Sequence, residues 1–166
     1  MCPCYPTSVV CKAPTPAPQA GSMSGDPIVS VNGFKVKFEL PSGQTTLMWA
    51  DENLEIFSKA DVTTPDKQSQ WFSDFSLVVN GHHAAHIQRK EIKVTSTEML
   101  GKLNTLSLTT VDEAGDSHAV SSPGTYPVGN GTVNIIVKRD GAMVGPLPRE
   151  VVTLKSSSIT CSISAE

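Results

Sequence analysis

Charge is scarce in this chain. Asp, Glu, Lys and Arg make up 17% of its 166 residues, against about a quarter in ordinary soluble domains. Its polar surface therefore has to come from Ser, Thr, Asn and Gln. The balance is slightly acidic, at net −3. The densest basic stretch, Arg89-Lys90-Glu91-Ile92-Lys93, is broken by a carboxylate. A nucleic-acid partner asks for a basic face, so no nucleic-acid binding is expected. Long apolar runs are missing too. None approaches the roughly 18 residues of a membrane-crossing helix, and no charged segment followed by an apolar one opens the chain as a signal peptide would. No transmembrane segment is expected. Aromatic residues are only 5%. There is no Gly-x-Ser-x-Gly elbow and no glycine-rich loop leading into a helix to cradle phosphate. Asp116-Ser117-His118 has the residue types of a triad, but neighbours in sequence point apart and cannot form its relay. No catalytic residue is assigned.

What is present divides at about residue 27. Met1-Cys2-Pro3-Cys4-Tyr5-Pro6 leads through Cys11 to Pro14, Pro16 and Pro18. Prolines at alternate positions remove backbone donors and fix φ, so neither helix nor central strand suits them. Residues 1–27 read as a flexible Cys/Pro-rich arm or linker, and residues 28–166 as one domain, a size that fits a single core.

From Ile28 onward the hydrophobic period is two. Phe34, Val36, Phe38 and Leu40 alternate with Lys35, Lys37 and Glu39, the pattern of a half-buried strand. Leu54 and Ile56, then Trp71, Ser73, Phe75, Leu77 and Val79, then Leu106 and Leu108, Val133, Ile135 and Val137, and finally Ile159, Cys161 and Ile163 repeat it. Asn32-Gly33, Asn80-Gly81 and Asp140-Gly141 read as hairpin turns, because these pairs tolerate positive φ. One short helix is expected where Thr95-Ser96-Thr97-Glu98 resembles a capping box ahead of Met99, Leu100 and Leu103. Short strands joined by hairpins predict an all-β fold, an antiparallel two-layer β-sandwich. The alternative is a trefoil-like β-barrel, suggested by Asn-Gly pairs spaced 48 and 50 residues apart at Asn32, Asn80 and Asn130.

Four groups of residues are candidates for chemistry or binding. His82, His83 and His86 form the one histidine cluster, and imidazole is the commonest metal ligand. On a regular strand His82 and His86 share a side about 13 Å apart while His83 faces away, so a metal ion needs a helix or a partner strand here. Cys2, Cys4 and Cys11 in the arm and Cys161 in the last strand are disulfide candidates if the compartment is oxidising. The bland reading of Cys161 is a buried apolar side chain beside Ile159 and Ile163. Asn130-Gly131-Thr132 is a glycosylation sequon on an expected turn. Trp49 and Phe72 are read as aromatics available to a sugar or a protein partner, Phe72 because the period-two pattern puts Trp71 and Phe75 inside.

These residues favour a non-catalytic structural or interaction domain, an assembly subunit that meets protein partners or further copies of itself through its arm and sheet edges. It requires no cofactor. A secreted carbohydrate- or ligand-binding domain is the second expectation, and a metal-dependent enzyme built on the three histidines the third. An extracellular setting or a place in a larger assembly is favoured.

Overall fold

The computed structural model describes residues 19–24, 28–31, 34–37, 39–62, 70–96, 99–144 and 147–164, with side chains for 39–62, 70–90, 105–139 and 150–163. Strands run in the order β1 (Gln19–Ser24), β2 (Ile28–Val31), β3 (Phe34–Lys37), β4 (Thr45–Ala50), β5 (Leu54–Val62), β6 (Gln70–Val79), β7 (His82–Ser96), β8 (Met99–Val111), β9 (Ser117–Val120), β10 (Gly124–Val128), β11 (Val133–Val144), β12 (Leu147–Lys155) and β13 (Ile159–Ser164). β4 to β9 form a six-stranded antiparallel sheet in simple sequence order. β10 to β13 form the antiparallel body of the second sheet. Its far side is continued by β1, β2 and β3, with β1 lying parallel to β13. The sheets stay separate and no barrel closes, so the architecture is the expected β-sandwich and the trefoil-like alternative is set aside.

The core lies between the two sheets. Leu54, Ile56, Leu77, Val79, Ala85 and Ile87 fill it from the six-stranded sheet; Val133, Ile135, Val152, Leu154, Ile159, Cys161 and Ile163 fill it from the other. Each large aliphatic side chain removed from water contributes about 1.5–3 kcal/mol. Alternate residues of β5 are buried from Leu54 to Ala60, which is the period-two pattern made physical. The Asn80-Gly81 turn is also as read from the sequence. Its two residues have φ of 51° and 78°, the left-handed pair that a type I′ hairpin requires.

Three bulges break the alternation in the six-stranded sheet, and each changes the assignment of a side chain. The β4–β5 register skips at Met48, between Leu47↔Phe57 and Trp49↔Ile56. The β5–β6 register skips at Ser73, between Lys59↔Asp74 and Ala60↔Phe72. The β6–β7 register skips at Ala84, between Leu77↔Ala85 and Val78↔His83. An extra residue on one strand reverses the phase of everything beyond it. Phe72 is therefore buried and Trp71 only half-buried, the opposite of the expected arrangement. Ser73 Oγ, displaced from the pleat, donates to Lys59 O at 3.2 Å.

Two further expectations are corrected. The short helix near residue 95 is replaced by a hairpin: β7 and β8 pair continuously from Ala85↔Thr110 to Ser96↔Met99, and no helix occurs among the described residues. A capping box contributes on the order of 1 kcal/mol, too little against a ladder of twelve register pairs that includes β-branched Val94 and Thr95. Asp140-Gly141 is not a turn either. It lies within β11, where the register with β12 shifts between Arg139 and Met143, and the chain reverses between Val144 and Leu147.

β1 falls inside the stretch read as an arm, and its main chain is registered against β13 from Gln19↔Ile159 to Ser24↔Ser164. The prolines at 14, 16 and 18 and the three arm cysteines lie outside the described residues.

Candidate functional site

The histidine cluster is arranged by the Ala84 bulge. Cross-strand partners share a face, so His83 opposite Val78 and His86 opposite Ser76 both point away from the core, while His82 follows buried Val79 to the other side. The expectation that His82 and His86 share a side is thereby corrected: His83 and His86 do, with ring centroids 6.5 Å apart. His86 Nε2 lies 2.6 Å from Asp74 Oδ2, and Gln88 Nε2 donates to the same oxygen at 3.3 Å. Among the described residues no three His, Cys, Asp or Glu side chains converge to hold a metal ion. A half-buried His–Asp pair of this kind fixes side-chain positions on the sheet surface and contributes at most about 1 kcal/mol.

The turn-bearing end of the sandwich opens into a cleft of about 1140 Å³ lined by Asn80, His82, Asp112, Glu113, Val128 and Asn130 among others. Asp112 is engaged by its own turn. His118 Nε2 lies 2.8 Å from Asp112 Oδ2, and the amides of Ala114 and Asp116 donate to Oδ1 at 3.0 and 2.9 Å. The His118 bond, then the Asp116 and Ala114 amides, hold the Asp112 carboxyl below its ordinary range against a small opposing effect of burial. His118 thus pairs with Asp112, and the neighbouring Ser117 takes no part in that contact. Asn130 is exposed on the rim with φ of 54°. Thr132, the third residue of its sequon, accepts a 3.1 Å hydrogen bond at Oγ1 from Asn80 Nδ2, tying the hairpin turn of one sheet to that of the other. Gly129 is fixed by space as well as by φ of 57°: a Cβ there would lie 2.3 Å from Val79 Cγ1.

A second tie between the sheets passes through Asp51. Its Oδ1 accepts the amides of Asn53 and Leu54, each at 2.9 Å. Its Oδ2 accepts Trp49 Nε1 at 3.0 Å and the Ser158 hydroxyl from the β12–β13 turn. Burial alone would raise this carboxyl. The bonds from Ser158, Trp49, Asn53 and Leu54 outweigh it and hold the group below its ordinary value of 3.8. Trp49, turned inward by the Met48 bulge, packs on the core edge and is half-buried. Asp51 and Ser158 are 107 positions apart, and only the turn-forming composition of Asp51-Glu52-Asn53 hinted at the local half of this arrangement.

Cys161 is a free thiol, 1% exposed. Cys161 takes the buried apolar place beside Ile159 and Ile163, and burial pushes its thiol up to about 12. Cys2, Cys4 and Cys11 lie outside the described residues.

The most open feature is an edge. β4 is the outermost strand of its sheet and pairs only with β5 among the described strands. Its sequence, Thr-Thr-Leu-Met-Trp-Ala, carries no charge. Leu47, 48% exposed, is the one large exposed apolar side chain among the described residues. It stands on the outer face beside half-buried Phe57.

Comparison with protein-family models, with curated proteins and with solved structures finds no match to this chain.

Proposed function

We propose that the chain is a non-catalytic interaction and assembly module that meets protein partners through the open edge of its six-stranded sheet and through its N-terminal arm. The observation that carries this reading is β4. Among the described strands it offers an unpaired row of main-chain donors and acceptors without the charge or proline by which sheet proteins usually protect an edge, the Met48 bulge being its one such device. Strand addition to such an edge gives affinity through main-chain hydrogen bonds. Three carboxylates among the described residues support the same reading. Asp74 is taken up by His86 and Gln88, Asp112 by His118 and its own turn, and Asp51 by Trp49 and Ser158. Each of these contacts holds the fold in place. Phe72 lies in the core, which removes half of the aromatic surface on which a sugar-binding role was argued.

The test is solution mass by sedimentation equilibrium, on the 166-residue chain and on one beginning at Gln19, together with cross-linking in the native extract. Trimming at residue 18 leaves β1 in place. The expected result is a mass above the 17.6 kDa of one chain, or a defined cross-linked protein partner, with either reduced by trimming. A monomer in both forms, with no protein cross-linked to it, overturns the proposal.

A further inference from the structure

Two Asn-Gly turns lie among the described residues, Asn80-Gly81 between β6 and β7 and Asn130-Gly131 between β10 and β11. Along the chain they are alike. Both asparagines are exposed and left-handed, at φ of 51° and 54°, and both glycines have φ of 78°. A Cβ added to either glycine would meet nothing within 4 Å, so no side chain screens the peptide nitrogen that follows each asparagine. What differs is how each asparagine is held. Asn80 is tied at both ends by other segments: its main-chain amide donates to Asn53 O at 2.9 Å, and its Nδ2 donates to Thr132 Oγ1 at 3.1 Å. Asn130 sits in a turn closed by the single bond from Thr132 N to Gly129 O, 3.0 Å. No hydrogen bond among the described residues engages its side chain. The strand that leads into this turn, β10, has five residues and lies at the end of its sheet, where local opening costs least.

From this contrast we infer that Asn130 is a site of covalent self-modification, at which the side-chain amide is converted to a carboxylic acid through a succinimide, while Asn80 is protected by its ties. Ring closure needs two freedoms, rotation of the asparagine side chain over the next peptide nitrogen and a local opening of the turn. Only Asn130 has both. The Gly131 nitrogen gives up its proton to solvent base and forms a bond to Asn130 Cγ. The Cγ–Nδ2 bond breaks, and the side-chain nitrogen takes up a proton and leaves as ammonia. Water then opens the ring. Cleavage of the new bond from nitrogen to Cγ yields aspartate; cleavage of the original peptide bond yields isoaspartate, whose chain runs on through the side-chain carbonyl. No electron is transferred, and water is the only co-reactant. Conversion places a negative charge on the rim of the cleft that already carries Asp112 and Glu113. It also removes the asparagine of the Asn130-Gly131-Thr132 sequon, so a converted turn is closed to glycosylation.

The experiment ages the whole chain in mildly alkaline buffer and follows each asparagine separately by peptide mass mapping, with isoaspartate counted by enzymatic methyl transfer. In the folded chain Asn130 is expected to convert at least about fivefold faster than Asn80, the factor that one net hydrogen bond supplies. In denaturant the two rates are expected to converge, because the ties on Asn80 are gone. Thr132→Val keeps the branched shape and the main-chain bond that closes the turn while removing the acceptor of Asn80 Nδ2. With the circular dichroism of the wild type retained, it is expected to raise conversion at Asn80 about fivefold. Four results would overturn the inference: Asn80 converting as fast as Asn130 in the folded chain, Asn130 still intact when the denatured chain has fully converted, a difference that survives denaturation, or a folded Thr132→Val chain in which Asn80 stays as slow as before. None of the four touches the assembly reading, which is decided by trimming at residue 18 and cross-linking.

Discussion

Replacing Asp51 by Ala removes the acceptor of four hydrogen bonds at once, two from turn amides, one from Trp49 and one from Ser158 across the sandwich. Net contributions of hydrogen bonds to a charged acceptor run at about 1.5–3 kcal/mol where water is excluded. Here the site is half-buried and water can replace the carboxylate at the two turn amides, so the loss reduces to about 3 kcal/mol in all. For a chain of this size that is a fall in Tm of about 6–12 °C, read by far-UV circular dichroism. Ser158→Ala is expected to cost about 1 kcal/mol, and the double variant no more than Asp51→Ala alone, because the Ser158 hydroxyl has already lost its acceptor. The pH dependence carries a sign. The carboxyl titrates below its ordinary value of 3.8 in the folded chain, so between the two values the unfolded chain holds more protons and stability rises with pH. The contribution is complete above about pH 4 and is lost as pH falls through the lowered value. The Tm gap between wild type and Asp51→Asn should accordingly narrow on acidification. Strict additivity of the two alanine substitutions, or a gap that widens at low pH, would refute the inter-sheet clamp.

Three further outcomes are expected. Phe72→Ala should cost about 3–5 kcal/mol in urea unfolding, as core aromatics do, and Trp71→Ala clearly less; the reverse order would mean that the Ser73 bulge is misplaced. Gly129→Ala should cost about 2–4 kcal/mol, since it combines positive φ with a clash on Val79, whereas Gly131→Ala, at φ of 78° in open space, should cost about 1 kcal/mol. In a chain with Cys2, Cys4 and Cys11 replaced by Ser, Cys161 should resist alkylation by iodoacetamide until denaturant unfolds the protein, and rapid labelling of native material would contradict its place in the core.

The fold class was legible because burial in a sandwich needs nothing more than alternation, and β5, β11 and β13 alternate cleanly. The faces of Trp71, Phe72, His82 and His83 were not legible. A bulge leaves no mark in composition: Met48, Ser73 and Ala84 are ordinary strand residues, and only the partner strand reveals that one position has been skipped. β4 and β10 were missed because they are short edge strands, one interrupted by a bulge and the other carrying Pro127 in an alternation only five residues long. The helix expected near residue 95 failed for the opposite reason, a genuine local signal overruled by long-range pairing. The Asp51–Ser158 contact lies at a separation that no local pattern encodes.

The parallel seam between β1 and β13 also bears on how the chain is made. Its register partners, Gln19 and Ile159, stand at opposite ends of the chain, whereas the six-stranded sheet is a single uninterrupted run of neighbours from Thr45 to Val120. At about 5–20 residues per second of synthesis, β1 leaves the ribosome roughly 7–28 s before the strand it will lie against. During that interval the six-stranded sheet can zip up by local pairing, while β1, β2 and β3 wait with a vacant flank. A translation pause late in the message would lengthen that wait, and with it the time in which a chaperone or a neighbouring nascent chain can occupy the place reserved for β13.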